Sequence, residues 1–447
     1  MKEGYLSSWK EIAQYLGWDI KTCQRWEKGR GLPIHRLEGT KKSRVVAYQD
    51  ELDLWLKENF GNNNSHPQSG MRKKHKIKLK YLYVFLPLSF ILLYLIIPTN
   101  SSRRQPSDFR IDRSNLVILD SAGKEIWRYD TKLENLDGFE FYKNHFQHKK
   151  LIPTEYGSDM ALPHLMIKDL NKDGMNEVLF SPATENDVGA GQVICFDYKG
   201  KFLWEHKTGR KIQFGKRTFH SDFALSGFDT RDINKDGNEE IIILSHANSE
   251  FPTQLLVLDH KNEVLGEYWN VGQFGDLEYA DIDGDGYEEI LLAGQNNEYE
   301  KPCLVVLSRN SIHGGSPQTP AFSNETLGRG GEIFYILLPL TDVDQFFKPG
   351  IGIFWIELLR DQIIRVSTTV SCIFYEFSFS LDLQSVNLSH VYERRRNSLF
   401  SDGKIKDSLN KEKTIKDLAR GILYFDGRTK TWTNKIAMSN PRGDPHY

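Results

Sequence analysis

Three nine-residue segments of this 447-residue chain repeat one acidic pattern: DLNKDGMNE from Asp169, DINKDGNEE from Asp232 and DIDGDGYEE from Asp281. Each offers side-chain oxygens at positions 1, 3, 5 and 9, a backbone carbonyl at 7 and a glycine at 6 for a sharp turn. That is the hard oxygen shell Ca²⁺ prefers. The expected ligand sets are Asp169, Asn171, Asp173 and Glu177 with the carbonyl of Met175; Asp232, Asn234, Asp236 and Glu240 with that of Asn238; and Asp281, Asp283, Asp285 and Glu289 with that of Tyr287. Asn171 and Asn234 stand where the third segment has Asp283, so two sites should hold the cation more weakly. An EF-hand is excluded, because position 12 is Phe180, Ile243 or Leu292 where a bidentate glutamate is required. Each loop instead runs into an apolar β-rich stretch, VLF, IIIL or ILLA, so calcium is expected to pin strands rather than capture a ligand directly.

A second unit recurs around these loops: LVILDSAGKEIW from Leu116, VICFDYKGKFLW from Val193, LLVLDHKNEVLG from Leu255 and ILYFDGRTKTW from Ile422. Each reads as strand, tight turn, strand. The acidic loops are spaced by 63 and then 49 residues, which suits propeller blades with variable insertions. On these motifs residues 107–447 resemble the FG-GAP or VCBS repeats of integrin-alpha-like propellers, well over 115–310 and weakly over 311–420. There IFYILLPL, GIFWIEL and SCIFYEFSFSLDL read as strands without acidic loops, and 389–420 as a helical insertion. Five to seven blades are expected, closed by pairing the N-terminal hairpin with the C-terminal one.

Residues 81–97, YLYVFLPLSFILLYLII, carry no charge. As a helix this run spans roughly 26 Å, near the lower limit for a bilayer core of about 30 Å. A transmembrane helix at 81–98 is expected. A cleaved signal peptide is excluded by the folded-looking residues before it. Six basic residues from Arg72 to Lys80 precede the run and four, Arg103, Arg104, Arg110 and Arg113, follow it. This asymmetry places the N-terminus in the cytoplasm and the larger part outside, in the inner membrane of a bacterium. Residues 61–80 read as a polar linker followed by a basic stretch held by anionic lipid.

Before the membrane run, Ser8-Trp9-Lys10-Glu11 has capping-box spacing and Trp9, Ile12, Ala13 and Leu16 recur at helical period. Gly17 ends that helix. A second follows, capped by Asp19, with Ile20, Cys23 and Trp26 facing inward and Lys21, Thr22, Gln24 and Arg25 outward. Two strands flank Gly39-Thr40-Lys41-Lys42, and an amphipathic helix offers Leu52, Trp55 and Leu56 to the core. Carried by SWKEIAQYLG, TCQRWEKGRGLP, the hairpin and YQDELDLWL, residues 1–60 resemble the winged helix-turn-helix of the MerR and excisionase type. Between Lys21 and Arg44 eight basic residues face two acidic ones, a phosphate footprint. The resemblance implies that Lys21, Thr22, Gln24 and Arg25 meet base edges while Lys41, Lys42 and Arg44 grip the DNA backbone or minor groove.

The expected fold class is therefore multidomain: a small α+β winged helix-turn-helix, one transmembrane helix and an all-β propeller. A net charge of −2 means that any nucleic-acid site must be local. Four scattered cysteines, Cys23, Cys195, Cys303 and Cys372, form no metal or disulfide framework. His164, His220, His246 and His260 stand alone, so no catalytic residue is assigned and no enzyme is expected. The reading is a membrane-anchored transcriptional regulator whose outer propeller senses a protein or glycan, dimerising or assembling further when active. The rival reading is an anchored adhesion or scaffold propeller whose head contacts protein.

Overall fold

The computed structural model describes residues 5–18, 20–37, 44–60, 104–134, 136–154, 157–184, 191–247, 251–347, 352–426 and 431–434. The chain divides into two compact units, residues 1–99 and 100–447. The apolar run 81–97 and the linker before it lie outside the described residues. Among the described ones no helix is long and apolar enough to cross a membrane.

The first unit is a small α+β fold in the order β1 (Tyr5–Leu6), α1 (Trp9–Leu16), α2 (Ile20–Arg30), β2 (His35–Leu37), β3 (Arg44–Tyr48) and α3 (Gln49–Phe60), with sheet order β1-β3-β2. Ser8 Oγ accepts the Glu11 amide at 3.3 Å as the capping spacing predicts, whereas the Glu11 carboxylate reaches one residue further back than a capping box requires, to the Ser7 amide at 2.7 Å. Gly17 closes α1 at φ +78°, a left-handed cap that glycine adopts without a Cβ clash. Ile12, Ala13, Leu16, Cys23, Leu52 and Trp55 form the core, and Trp55 Nε1 bonds the Arg30 carbonyl at 2.9 Å, tying the end of α2 to α3. Ile20 departs from the sequence reading: it opens α2 in solvent, 40 % exposed, because the core is already filled from Cys23 and Trp26.

The second unit is mostly antiparallel sheet. A three-stranded sheet, β4 (Asp108–Asp112), β5 (Asn115–Leu119) and β6 (Glu125–Asp130), comes first, followed by the hairpin β7 (Lys150–Thr154) and β8 (Gly157–Ala161). Four-stranded meanders then succeed one another. They are β9 (Leu165–Lys168), β10 (Glu177–Phe180), β11 (Gln192–Phe196), β12 (Phe202–Lys207); after a small hairpin of β13 (Ile212–Phe214) and β14 (Arg217–Phe219), β15 (Phe223–Arg231), β16 (Glu240–Ala247), β17 (Thr253–Leu258), β18 (Val264–Asn270); then β19 (Phe274–Ala280), β20 (Glu289–Asn296), β21 (Lys301–Leu307), β22 (Glu332–Leu337); and β23 (Ile353–Leu359), β24 (Ile363–Thr368), β25 (Phe374–Ser378), β26 (Leu383–Asn387). Helices His390–Ser401 and Lys411–Arg420 pack on the last sheet through Tyr392, Leu399 and Leu418.

The sheets stack face on face, and the strand period of two dictates how. In β16, Ile241 and Ile243 join the core shared with β9–β12, whereas Ile242 and Leu244 join the core shared with β19–β22. In β20, Ile290 and Leu292 face back while Leu291 and Ala293 face the last sheet. Interior strands are therefore apolar on both faces, which explains the unbroken runs IIIL and ILLA. The end sheets differ. The outer face of the first carries Arg110, Asp112 and Arg128, and one face of the last carries Glu357, Arg365 and Glu376, half-exposed ion pairs in each case. Successive meanders buried on both faces are blade-like, and a propeller is the architecture they support.

The expected closure by pairing the two terminal hairpins is not what the strands do. The C-terminal hairpin of β27 (Leu423–Asp426) and β28 (Thr431–Thr433) pairs with the free edge of β22, extending that sheet to six strands. The reason is local: β22 pairs only with β21 on its other side, and Ile336 and Leu337 meet Tyr424 and Leu423 in register. The hairpin units share a turn device. Asp120, Asp197 and Asp259 each accept two backbone amides within their own turns, at 2.7–3.0 Å.

Candidate metal centre

Each acidic loop joins the first and second strands of a meander: β9 to β10, β15 to β16 and β19 to β20. Their hydrogen bonds repeat position by position. The first aspartate accepts the amide at position 6, from Gly174, Gly237 and Gly286, at 2.9, 3.1 and 3.0 Å. The third residue, Asn171, Asn234 or Asp283, accepts the amide at position 5 at 2.9, 2.7 and 3.0 Å. The fifth, Asp173, Asp236 or Asp285, accepts the amide at position 7 from Met175, Asn238 or Tyr287 at 2.8, 2.8 and 2.7 Å. These bonds need a left-handed sixth residue, and the three glycines sit at φ +85°, +94° and +89°.

The ninth residue is buried and starts the second strand. Glu177, Glu240 and Glu289 each accept the amide of position 2, from Leu170, Ile233 and Ile282, at 3.0, 2.9 and 3.0 Å. Burial, reinforced by the neighbouring aspartates, pushes each of these carboxyls up to about 7. Positive charge is what such a pocket lacks. Asp232 Oδ1 is buried with no hydrogen-bond partner, and the Asn234 amide nitrogen donates to Glu240 Oε1 at 2.8 Å and Asp236 Oδ2 at 3.2 Å. In the third loop Asp281, Asp283 and Asp285 bring one oxygen each within 4.8 Å of one another. A buried orphan oxygen, a donor held between carboxylates and a converging acidic triplet fit a hard divalent cation.

The pH dependence has a definite sign. A carboxyl raised in the fold keeps its proton better there than in the unfolded chain, so the ion-free fold is favoured in acid and loses that advantage as pH rises from about 4.5 to about 7. Calcium needs the ionised form, so affinity should rise over the same window, by up to about tenfold per site and pH unit. Calorimetric titration of the whole protein at pH 6 and pH 7.5 reads this directly. Equal affinities would remove the glutamates from the ligand set.

Sequence reading missed the residues that join the loops. Lys168 and Lys172 of the first loop grip Glu239 of the second at 2.7 and 2.8 Å, and Arg231 forks onto Glu288 of the third at 2.6 and 2.5 Å. Their signal was a cation just before the first aspartate, matched by an acid at position 8 one repeat later. His164 does not stand alone either: it is buried beside His145, ring centres 5.2 Å apart, and desolvation pushes it down to about 3. His246 Nδ1 lies 2.9 Å from Ser226 Oγ across the β15–β16 ladder. None of the four cysteines is in a disulfide; Cys23, Cys195 and Cys303 are buried and Cys372 half-buried. A polar cavity of about 480 Å³, lined by Arg210, Lys211, Gln213, Thr218, Asn324 and Glu325, lies beside the β13–β14 hairpin.

In the first unit, Lys21 and Arg25 are exposed on α2, Thr22 and Gln24 half-buried. Arg44 opens β3, whereas Lys41 and Lys42 lie outside the described residues. Arg36 is engaged by Glu27 at 2.7 Å.

No protein-family model matches the chain, and no curated protein does. Among solved structures it is similar to a protein of unknown function from Bacteroides caccae, at 11% identity over 64% of this chain and 73% of that one, TM-score 0.30. It is also similar to the Dos1 propeller, at 9% identity over 62% and 65%, TM-score 0.30. A third is BBS1N, solved in complex with ARL6DN, at 8% identity over 64% and 71%, TM-score 0.32. Likenesses this distant carry no argument about function, and the fold assignment rests on the sheets themselves.

Proposed function

We propose that this chain is a calcium-braced interaction protein: a blade-built platform outside the cytoplasm, tethered through residues 81–97, that binds a protein or glycan partner and performs no catalysis. The observation that supports it best is the threefold repetition of the loop geometry. Three loops with the same hydrogen bonds, each ending in a buried glutamate, brace neighbouring sheets, and bracing suits a surface that must hold its shape for a partner. Calcium abundant outside cells and scarce within agrees with that placement. Protease added to sealed cells tests it: the body should be cut and residues 1–60 spared, and the reverse pattern overturns the topology.

A second reading concerns the head, and one feature of α2 favours it. Lys21, Arg25 and Lys28 recur at i, i+4 and i+7, all exposed, forming one basic stripe opposite the buried Cys23. On this reading the stripe enters the DNA major groove, the chain is a membrane-anchored regulator, and assembly into dimers brings a second head to the operator. A gel shift of the detergent-solubilised chain across salt distinguishes the two. DNA binding predicts salt-sensitive retention, and Lys21→Ala and Arg25→Ala, which remove base-edge contacts, should each cost about 1–3 kcal/mol and relax the sequence preference. No retention at low salt leaves the head as a protein-binding module.

A further inference from the structure

We propose that the three loops take up their cations as a coupled set, and that Lys168, Lys172, Arg231 and Lys235 carry the coupling by gripping the next loop along the chain. The inference rests on the calcium reading above and goes beyond it, since nothing about a calcium loop requires its neighbour to be filled.

The junctions follow one rule. The residue before the first aspartate, Lys168 or Arg231, bonds the position-8 glutamate of the following loop, Glu239 or Glu288. The position-4 lysine reaches the same following loop: Lys172 Nζ bonds Glu239 at 2.8 Å, and Lys235 Nζ bonds the carbonyl of Gly286. At the first junction the backbone adds a third link, the Glu239 amide donating to the Leu170 carbonyl at 2.8 Å. Each gripped residue adjoins an expected ligand. Glu239 precedes the buried Glu240, Glu288 precedes the buried Glu289, and Gly286 precedes Tyr287, whose carbonyl is the expected ligand at position 7.

The second junction is also clamped by rings. Arg309 lies 3.5 Å from the centre of the Tyr287 ring and Lys235 5.2 Å from it. Both gripping lysines occupy left-handed backbone, at φ +57° for Lys172 and +58° for Lys235, so their direction depends on the loop being closed. Filling one loop fixes the turn that aims its lysine, and that lysine orders the carbonyl and glutamate of the next. In the third loop Ala280 and Gly284 replace the gripping cations, and the next sheet has no acidic loop to receive them. The chain of contacts therefore ends where the ligands end.

Calorimetric titration of the whole detergent-solubilised protein with calcium alone tests the proposal. Asp236→Ala empties the second loop, and the other two sites should then bind calcium five- to tenfold more weakly, a typical coupling between linked sites. In a background carrying Arg231→Gln, Lys235→Met and Glu239→Gln, none of them an expected ligand, the same Asp236→Ala change should shift the remaining affinities by less than twofold. Should the triple variant fail to fold, Lys235→Met alone, an exposed side chain, should reduce the effect of Asp236→Ala on the third loop and leave its effect on the first unchanged; an undiminished effect on the third loop overturns the lysine's role. Unchanged affinities after Asp236→Ala, or an undiminished penalty in the bridge-free background, would overturn the coupling while leaving calcium binding intact. A wild-type protein that takes up no calcium overturns both.

Discussion

Chelating calcium from the whole protein is expected to lower its melting temperature by roughly 10 °C. A ligand at a hundred times its dissociation constant stabilises the fold by about 2.7 kcal/mol, so three filled loops contribute about 8 kcal/mol. In a body of this size each kcal/mol moves the midpoint by roughly 1–2 °C. The structural reason is the burial of Glu177, Glu240 and Glu289 beside loop aspartates. Without a cation, each must keep a proton or hold its charge away from water. Calorimetric scans with and without chelator at pH 7.5 read the effect, and a melt that does not move would show that the folded loops hold no calcium. At pH 5 the gap should narrow, because protons then replace the cation on the same carboxyls.

The second large effect concerns two adjacent residues of one strand. Ile242→Ala and Ile243→Ala should each destabilise the body by about 2–5 kcal/mol, the usual range for a fully buried large-to-small change. Both residues are 0 % exposed, yet they point into different cores: Ile242 packs with Leu255 and Tyr268, and Ile243 with Leu256 and Leu258. In a sheet with one wet face, one of the two changes would be nearly silent. Denaturant unfolding of each variant measures the difference. If either costs less than about 0.5 kcal/mol, the range for surface changes, β16 is not sandwiched between neighbouring sheets.

These expectations mark what a sequence exposes. The acidic loops were legible because their chemistry is local: nine consecutive residues set the repeated bonds within each loop and the left-handed glycine. The hairpins were legible for the same reason, since Asp120, Asp197 and Asp259 organise their turns within five residues. Closure was not. Pairing of β27 with β22 joins residues nearly ninety positions apart, and nothing in ILYFDGRTKTW distinguishes one free strand edge from another. The grip of Lys168 on Glu239 was hidden by a separation of 71 residues, visible only once the repeats are aligned and offset by one. In the head, helical periodicity turned Ile20 inward, but the first residue of a helix reports its cap more than its stripe, and Ile20 lies in solvent.

The two end sheets have a further consequence. An exposed blade with a greasy outer face would offer every copy a template for the next, and head-to-tail stacking of that kind does not close. Arg110 and Arg128 at one end, Glu357 and Arg365 at the other, would need to shed their hydration for such contact. Stacking of one copy on the next through these faces is thus disfavoured.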